Sequence, residues 1–493
     1  MKKIILAVFA SAIGLCGHAQ TELDLIKETV NKHTIEGHIY FLADDLLKGR
    51  EAGTPENKIA ASYLANTLRS YGVKPNPKTE DYYQPVQMEK VYPPAGILFE
   101  LDGKEYKRKV AVGQGTIKYT DNAVNIGYGL EDDYKGKDVR KKIVIVKGGS
   151  PGNTSARAIY GLADKKAQLA REAGALGIIE LVKIDERIWS YIEHDLMSEK
   201  LKVVNEESAT KKDDGFPHLW VQDEYGSLQM DLEARAVVAV KFQMSKGKVE
   251  PVVSQNVIGV VEGTDPELKN EYIIYSAHYD HVGIGQPDAS GDTIYNGARD
   301  NAVGTTTVLS MAENLAKYPT KRSALFILFT AEEKGLLGSQ YYVENPVLPL
   351  NQMVFCFNSD NGGYNDTSKA TIVGLERTSA ENNIKEAASE FGLTAIEDPA
   401  PEQGLFDRSD NVHFAAKGIP APTFSMGFTS FDGEVTKYYH QPGDHANTLD
   451  YDYLEKFFRA YVLSGRKIAN DNEKPQWNKG DKYEEAGKNL YEN

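Results

Sequence analysis

The chain has 493 residues, 56 Lys and Arg against 71 Asp and Glu, a formal charge of −15, 10% aromatic residues and two cysteines. That length predicts about three domain-sized units with ample core, and two cysteines exclude a disulfide framework or a thiolate-built zinc ribbon or iron–sulfur site. The acidic balance argues against nucleic acid or an anionic membrane as a partner, because phosphate binding needs a concentrated positive surface.

At the N-terminus, Lys2 and Lys3 precede an apolar run over 4–15, and Gly17-His18-Ala19 follows with small residues at the two positions a signal peptidase reads. Residues 1–19 therefore read as a signal peptide cut before Gln20, which makes the protein exported, to a periplasm or beyond the cell. The run is too short to cross about 30 Å of hydrocarbon, and no later stretch is long enough, so no membrane span is expected.

Residues 20–96 read as helices followed by an extended link. Thr54-Pro55-Glu56-Asn57 supplies a cap and a first-turn proline, Ile59, Tyr63, Leu64 and Leu68 follow at helical spacing, and Gly72 suits a C-terminal cap. Residues 97–248 turn to short β-rich runs, with buried strands over 141–149 and 174–182 and an amphipathic helix over 164–174. Few acids or histidines stand at strand ends there, so this region reads as structural. From 249 to 470 the pattern is α/β: the apolar strands YIIYSA, ALFILFTA and QMVFCFNS alternate with helices such as 300–317. The last stretch, 471–493, is polar and rich in Lys and Glu, and reads as a tail.

The ends of those strands carry the chemistry. YIIYSAHYDHVG puts His278 and Asp280 just past one strand, on one side at period two. Asp300 opens a helix after a glycine-containing turn; Glu332 and Glu333 end the next strand and Asp360 the one after, and His440 lies in a loop of KYYHQPGDHANTLD. In an open α/β sheet ligands gather at the carboxyl ends of strands. Two histidines and three carboxylates form a hard N/O donor set that suits Zn²⁺, with Mn²⁺ or Co²⁺ as substitutes. Five donors are too many for one catalytic zinc with an open position, and fit two zincs sharing one carboxylate. Glu332, left over beside Glu333, has the place of a general base.

AHYDHVG, GARDN, TAEEKGLLGS, NSD and YYH, in this order, resemble the five metal-site motifs of the secreted co-catalytic zinc aminopeptidases of the bacterial leucyl aminopeptidase type, a zinc exopeptidase family of clan MH. The resemblance implies an α/β, phosphorylase/hydrolase-like fold with a mixed central sheet, and peptide substrates with a free N-terminus. It implies two Zn²⁺ per chain: His278 and Asp360 on one, Glu333 and His440 on the other, Asp300 between them. Glu332 corresponds to the general acid/base and Asp280 to a carboxylate orienting His278. Tyr439 falls where some members stabilise the oxyanion, and the Asp300–Asn301 peptide is a candidate for the cis form. Residues 97–248 resemble a protease-associated (PA) domain inserted into the peptidase. His281, His413 and His445 match no ligand position and read as packing residues, as does His218; Asp410 either touches substrate or braces the active-site loop.

Other readings stay open from sequence. A carboxypeptidase or dipeptidase of the same family needs an arginine for a free carboxylate, and Arg299, Arg377 and Arg408 are available. Glutaminyl cyclase uses one zinc and fits the donor set less well. A non-catalytic peptide-binding ectodomain would ordinarily have lost ligands or the base, all of which are present.

Overall fold

The computed structural model describes residues 21–204 and 215–492. The expected signal peptide lies outside these residues. Where three domain-sized units were expected, the chain forms two compact ones: one runs through Val86 and resumes at Ser254, and the other is Gln87–Val253. The segment before Gln87 and the segment from Ser254 onward merge into one body because they build one core. The two strands Tyr83–Val91 and Val249–Val261 carry the chain across the boundary.

In the first unit, strands Thr394–Glu397, Lys369–Val373, Thr423–Met426, Met353–Ser359, Tyr272–His278, Ser323–Phe329 and Val249–Val261 are neighbours in that order. The sheet is mixed. Tyr272–His278 is parallel to both Ser323–Phe329 and Met353–Ser359, whereas Val249–Val261 pairs antiparallel with Ser323–Phe329. These three parallel strands are buried along their length, which is why they read as unbroken apolar runs.

Alternation at period two divides their side chains between two cores. Ile273, Tyr275, Phe326, Leu328, Phe355 and Phe357 face a cluster completed by helices Gly304–Lys317 and Tyr451–Asn470. Ile274, Leu325, Ile327, Phe329 and Cys356 face another, with Tyr342, Phe414 and Trp477. Helix Pro55–Ser70 forms as expected, capped by Thr54, whose side chain accepts from Asn57 N, but its buried stripe is Ala60, Ala61, Leu64 and Leu68 while Ile59 is exposed.

Two further expectations are corrected. The helix expected from Asp300 begins as a regular α-helix only at Gly304, since Asp300 and Asn301 have non-helical backbone angles and the peptide between them is cis. The stretch after Asn470 is no free tail: Trp477 is buried, Tyr483 and Leu490 pack on the same core, and Glu484–Glu492 is helical. Arg377 holds it, pairing with Asp481 at 2.7 Å and lying 3.9 Å from the Phe406 ring centre. A few well-spaced apolar groups suffice to dock an otherwise polar segment.

The second unit has its own sheet, in the order Lys104–Glu105, Ala95–Leu101, Val237–Ser245, Ile117–Asn125, Ile143–Lys147, Gly177–Val182, His218–Gln222, Lys109–Ala111. The helix expected at 164–174 is longer, Ala156–Glu172. It buries Lys166 against Glu180 at 2.5 Å, and Glu180 also takes Trp220 Nε1 at 2.8 Å and lies 3.1 Å from His218 Nε2. His218 is thus a packing residue of this unit.

One buried cation clamps the loops that follow the first site strand. Arg50, 1% exposed, donates to the carbonyls of Tyr279 (2.8 Å), Asn296 (2.7 Å), Gly297 (3.1 Å) and Leu42. Burial lowers its pKa to about 10, so it stays charged at neutral pH. Arg50→Met is expected to leave these buried carbonyls without a donor and to cost at least about 3 kcal/mol, read as a lower denaturant midpoint. A loss below about 1 kcal/mol would show that the clamp is dispensable.

Candidate metal centre

The three parallel strands end on one edge of the sheet, and each delivers a donor there. Tyr272–His278 ends in His278 itself; the turn after Ser323–Phe329 carries Glu332 and Glu333; Asp360 follows Met353–Ser359. Asp300 comes from the irregular turn Ala298–Val303, held by Asp444, whose carboxylate accepts Arg299 N (2.8 Å) and Asp300 N (3.3 Å). His440 arrives from a loop, with a left-handed backbone at φ 51°. Sequence positions 278 to 440 thereby meet in one cluster.

Asp300 lies at its middle. Its Oδ1 is 3.3 Å from His278 Nε2, which is itself 3.2 Å from Asp360 Oδ1. Its Oδ2 is 3.1 Å from His440 Nε2, which is 3.1 Å from Glu333 Oε2. Four donors around a cation with bonds of about 2.0 Å stand about 3.3 Å apart in a tetrahedron. The spacings therefore match two sets of metal donors, His278–Asp300–Asp360 and Asp300–Glu333–His440, each including one oxygen of Asp300. On proximity alone His278, Asp300 and Asp360 group as a candidate cation site, Asp300, Glu333 and His440 group together with His281, and a third grouping holds His278, Glu332 and Glu333.

The electrostatics point the same way. Burial alone would lower His278 and His440, yet the surrounding carboxylates prevail, holding His278 well above its ordinary value and His440 at about 10. Burial and Asp300 would raise Glu333, but His281 and His440 hold it at about 2. Without a cation the cluster balances its acids with protons on imidazoles. A divalent cation would supply that charge instead, and would free the imidazole nitrogens to ligate. Burial pushes Glu332 well above the carboxylate range, with Asp360, Glu333 and Asp410 adding to it. Its Oε2 lies 3.9 Å from His278 Nε2, outside the tetrahedral spacing.

Asp280 is placed differently from expectation. Its carboxylate is 3.9 Å from His278 Nδ1, and the closer contact of that nitrogen is the Asp280 carbonyl at 3.2 Å. The carboxylate instead accepts the backbone N–H groups of Glu332 (3.1 Å) and Glu333 (3.4 Å), so it pins the turn that presents both glutamates. The cause is the sharp reversal there, with Ala331 at φ 57°, which aims those amides at the neighbouring strand end. Burial raises Asp280 to about 6.

His281, read from sequence as a packing residue, belongs to the cluster. Its Nδ1 is 2.7 Å from Glu333 Oε1 and 4.0 Å from Asp300 Oδ2. The first distance is a hydrogen bond and the second too long for a tetrahedral edge, so His281 steers the outer oxygen of Glu333 and leaves Oε2 for the centre. Its place three residues after His278 was the available signal. His445 lies 3.6 Å from Asp292, and neither it nor His413 joins a donor group. Asp410 is fully buried beside the centre, and burial raises it to about 7.

A cleft of about 100 Å³ opens over the cluster. The Tyr439 ring stacks on His440 at 4.1 Å and forms part of its wall. Gly362 makes room for that ring, since a Cβ there would stand 2.9 Å from it. Val373, Leu405, Phe428, Phe431 and Val435 line an apolar side, and Arg408 contributes a cation.

Residues 256–463 match the family model described as Peptidase family M28. The chain is 26% identical over 417 residues to aminopeptidase YwaD of Bacillus subtilis, covering 83% of this chain and 78% of that protein. It is 27% identical over 235 residues to aminopeptidase Y of Saccharomyces cerevisiae, where it covers 45% of this chain and 39% of the relative. The fold is shared with an aminopeptidase from Aneurinibacillus sp. strain AM-1, at a TM-score of 0.60 and 22% identity over 92% of this chain and 97% of that one. The donor cluster falls inside the matched segment, and these matches mark the chain as a metallopeptidase, a hydrolase of peptide bonds.

Proposed function

We propose that the protein is an exported two-zinc aminopeptidase that removes residues from the free N-terminus of peptides. The observation that carries this reading is the division of Asp300, one oxygen beside His278 and the other beside His440. His278 and Asp360 would hold one zinc, Glu333 and His440 the second, with Asp300 shared. Bound zinc supplies Lewis-acid polarisation of the scissile carbonyl and lowers the pKa of water toward neutrality.

The chain's own groups do the rest. Glu332, outside both donor sets and buried at the cleft floor, takes a proton from the attacking water and passes it to the leaving amine. Tyr439 presents its hydroxyl to the oxygen that becomes negative. Glu332 and Asp360 form an acidic floor that suits an α-ammonium group and repels a carboxylate at the same place. Export rests on residues 1–19 of the sequence. Among the described residues no helix is long and apolar enough to cross a membrane. The Gln87–Val253 unit contains the stretch 97–248 read as the inserted PA domain; among the described residues the candidate donor groups lie outside it.

Three measurements test this reading. Glu332→Gln is expected to keep its zinc by elemental analysis while turnover of an aminoacyl anilide falls by about 10²–10⁴-fold. Retained turnover would remove Glu332 from the mechanism. Glu333→Ala should instead lose about one equivalent of zinc, and full metal content would contradict its role as a ligand. N-acetylation of a peptide should abolish its cleavage, whereas rapid hydrolysis of the blocked peptide would rule out an aminopeptidase.

A further inference from the structure

Of the three arginines that a substrate carboxylate could meet, two are committed elsewhere. Arg299 is buried, 2.9 Å from Asp444 Oδ1 and 2.7 Å from Thr448 Oγ1, with its guanidinium 3.8 Å from the Tyr438 ring centre. Arg377 makes two bonds to Asp481, at 2.7 and 3.0 Å, and holds the C-terminal segment. Arg408 differs from both. It is exposed, it lines the cleft over the donor cluster, and no Asp or Glu among the described residues pairs with it. Its hydrogen bond goes to a neutral oxygen, Tyr439 Oη at 3.2 Å.

An unpaired arginine is notable in a chain with 71 acids and a charge of −15. It is also the one Lys or Arg among the residues lining this cleft. The bond to Tyr439 uses one of five N–H donors and fixes one end of the guanidinium, leaving the rest of the planar fork for another acceptor. A carboxylate fits that fork in two-point geometry. The acids lining the cleft all belong to the donor cluster. The remaining wall near Arg408 is apolar: Leu405 precedes it on the same short helical turn, and Phe431 packs edge-on against Tyr439.

We propose that Arg408 is the carboxylate-recognition residue of this cleft, so that the enzyme selects substrates carrying a carboxylate close to the bond it cuts. This rests on the aminopeptidase reading above. Two sources offer the same chemistry: the acidic side chain of the residue released, or the free C-terminus of a dipeptide.

The test compares kcat/KM of the zinc-loaded enzyme on two matched pairs, glutamyl against glutaminyl p-nitroanilide and Leu-Leu against Leu-Leu-amide. In one pair the carboxylate substrate is expected to win by tenfold or more, mainly through KM, and that pair identifies the source. Arg408→Met and Arg408→Gln should each bring the winning ratio close to one. Ratios near one in the wild type, or a ratio that survives both substitutions, would overturn the proposal. So would an equal loss on charged and neutral substrates that disappears in a Tyr439→Phe background, since Arg408 would then act through Tyr439 alone. The whole substrate set separates the two levels: if none of these unblocked substrates is cleaved, the aminopeptidase reading falls and takes this one with it, whereas with cleavage and flat ratios only the role of Arg408 falls.

Discussion

The two oxygens of Asp300 set the geometry of everything around them. One carboxylate lies within 3.3 Å of His278 and 3.1 Å of His440, two imidazoles that come from opposite ends of the peptidase segment. Neither half of the centre can move without displacing the other. The backbone around Asp300 is accordingly held from several sides: Asp444 takes its amide, Asn301 Nδ2 donates to the Ser359 carbonyl, and Arg50 fixes the preceding Asn296 and Gly297. Buried polar groups are costly without partners, and these bonds hold the turn that presents Asp300.

The sheet explains why such a site is possible. Three neighbouring parallel strands share one direction, so their carboxyl ends open on one edge, and a donor at the last residue of a strand or within four residues past it needs no long excursion to reach a common point. The strands' own side chains are occupied by two apolar cores, one on each face. The strands fix where these donors start: His278 lies on one strand, Glu333 and Asp360 lie just past two others, and Asp300 and His440 come from loops.

Much of this was legible in the sequence for one reason: fully buried parallel strands are unbroken apolar runs, so an acid or histidine at the end of one stands out. Tyr272–His278, Ser323–Phe329 and Met353–Ser359 were readable on that basis, and so were the donors that follow them. What could not be read depends on partners in space. The Asp280 carboxylate turns to the backbone of Glu332 and Glu333 because the chain reverses at Ala331, which no spacing rule announces. His281 gains its meaning from Glu333, 52 residues away, and Arg408 from the lack of an acid beside it. The segment after Asn470 was misread because Trp477, Tyr483 and Leu490 are sparse among charges, yet each reaches the core.

The most direct measurement of the central claim is anomalous scattering at the zinc edge from crystals of the zinc-loaded protein. The account predicts two peaks, one between His278 and Asp360, the other between Glu333 and His440, each in contact with a different oxygen of Asp300. A single peak, or a pair in which Asp300 touches only one, would contradict it.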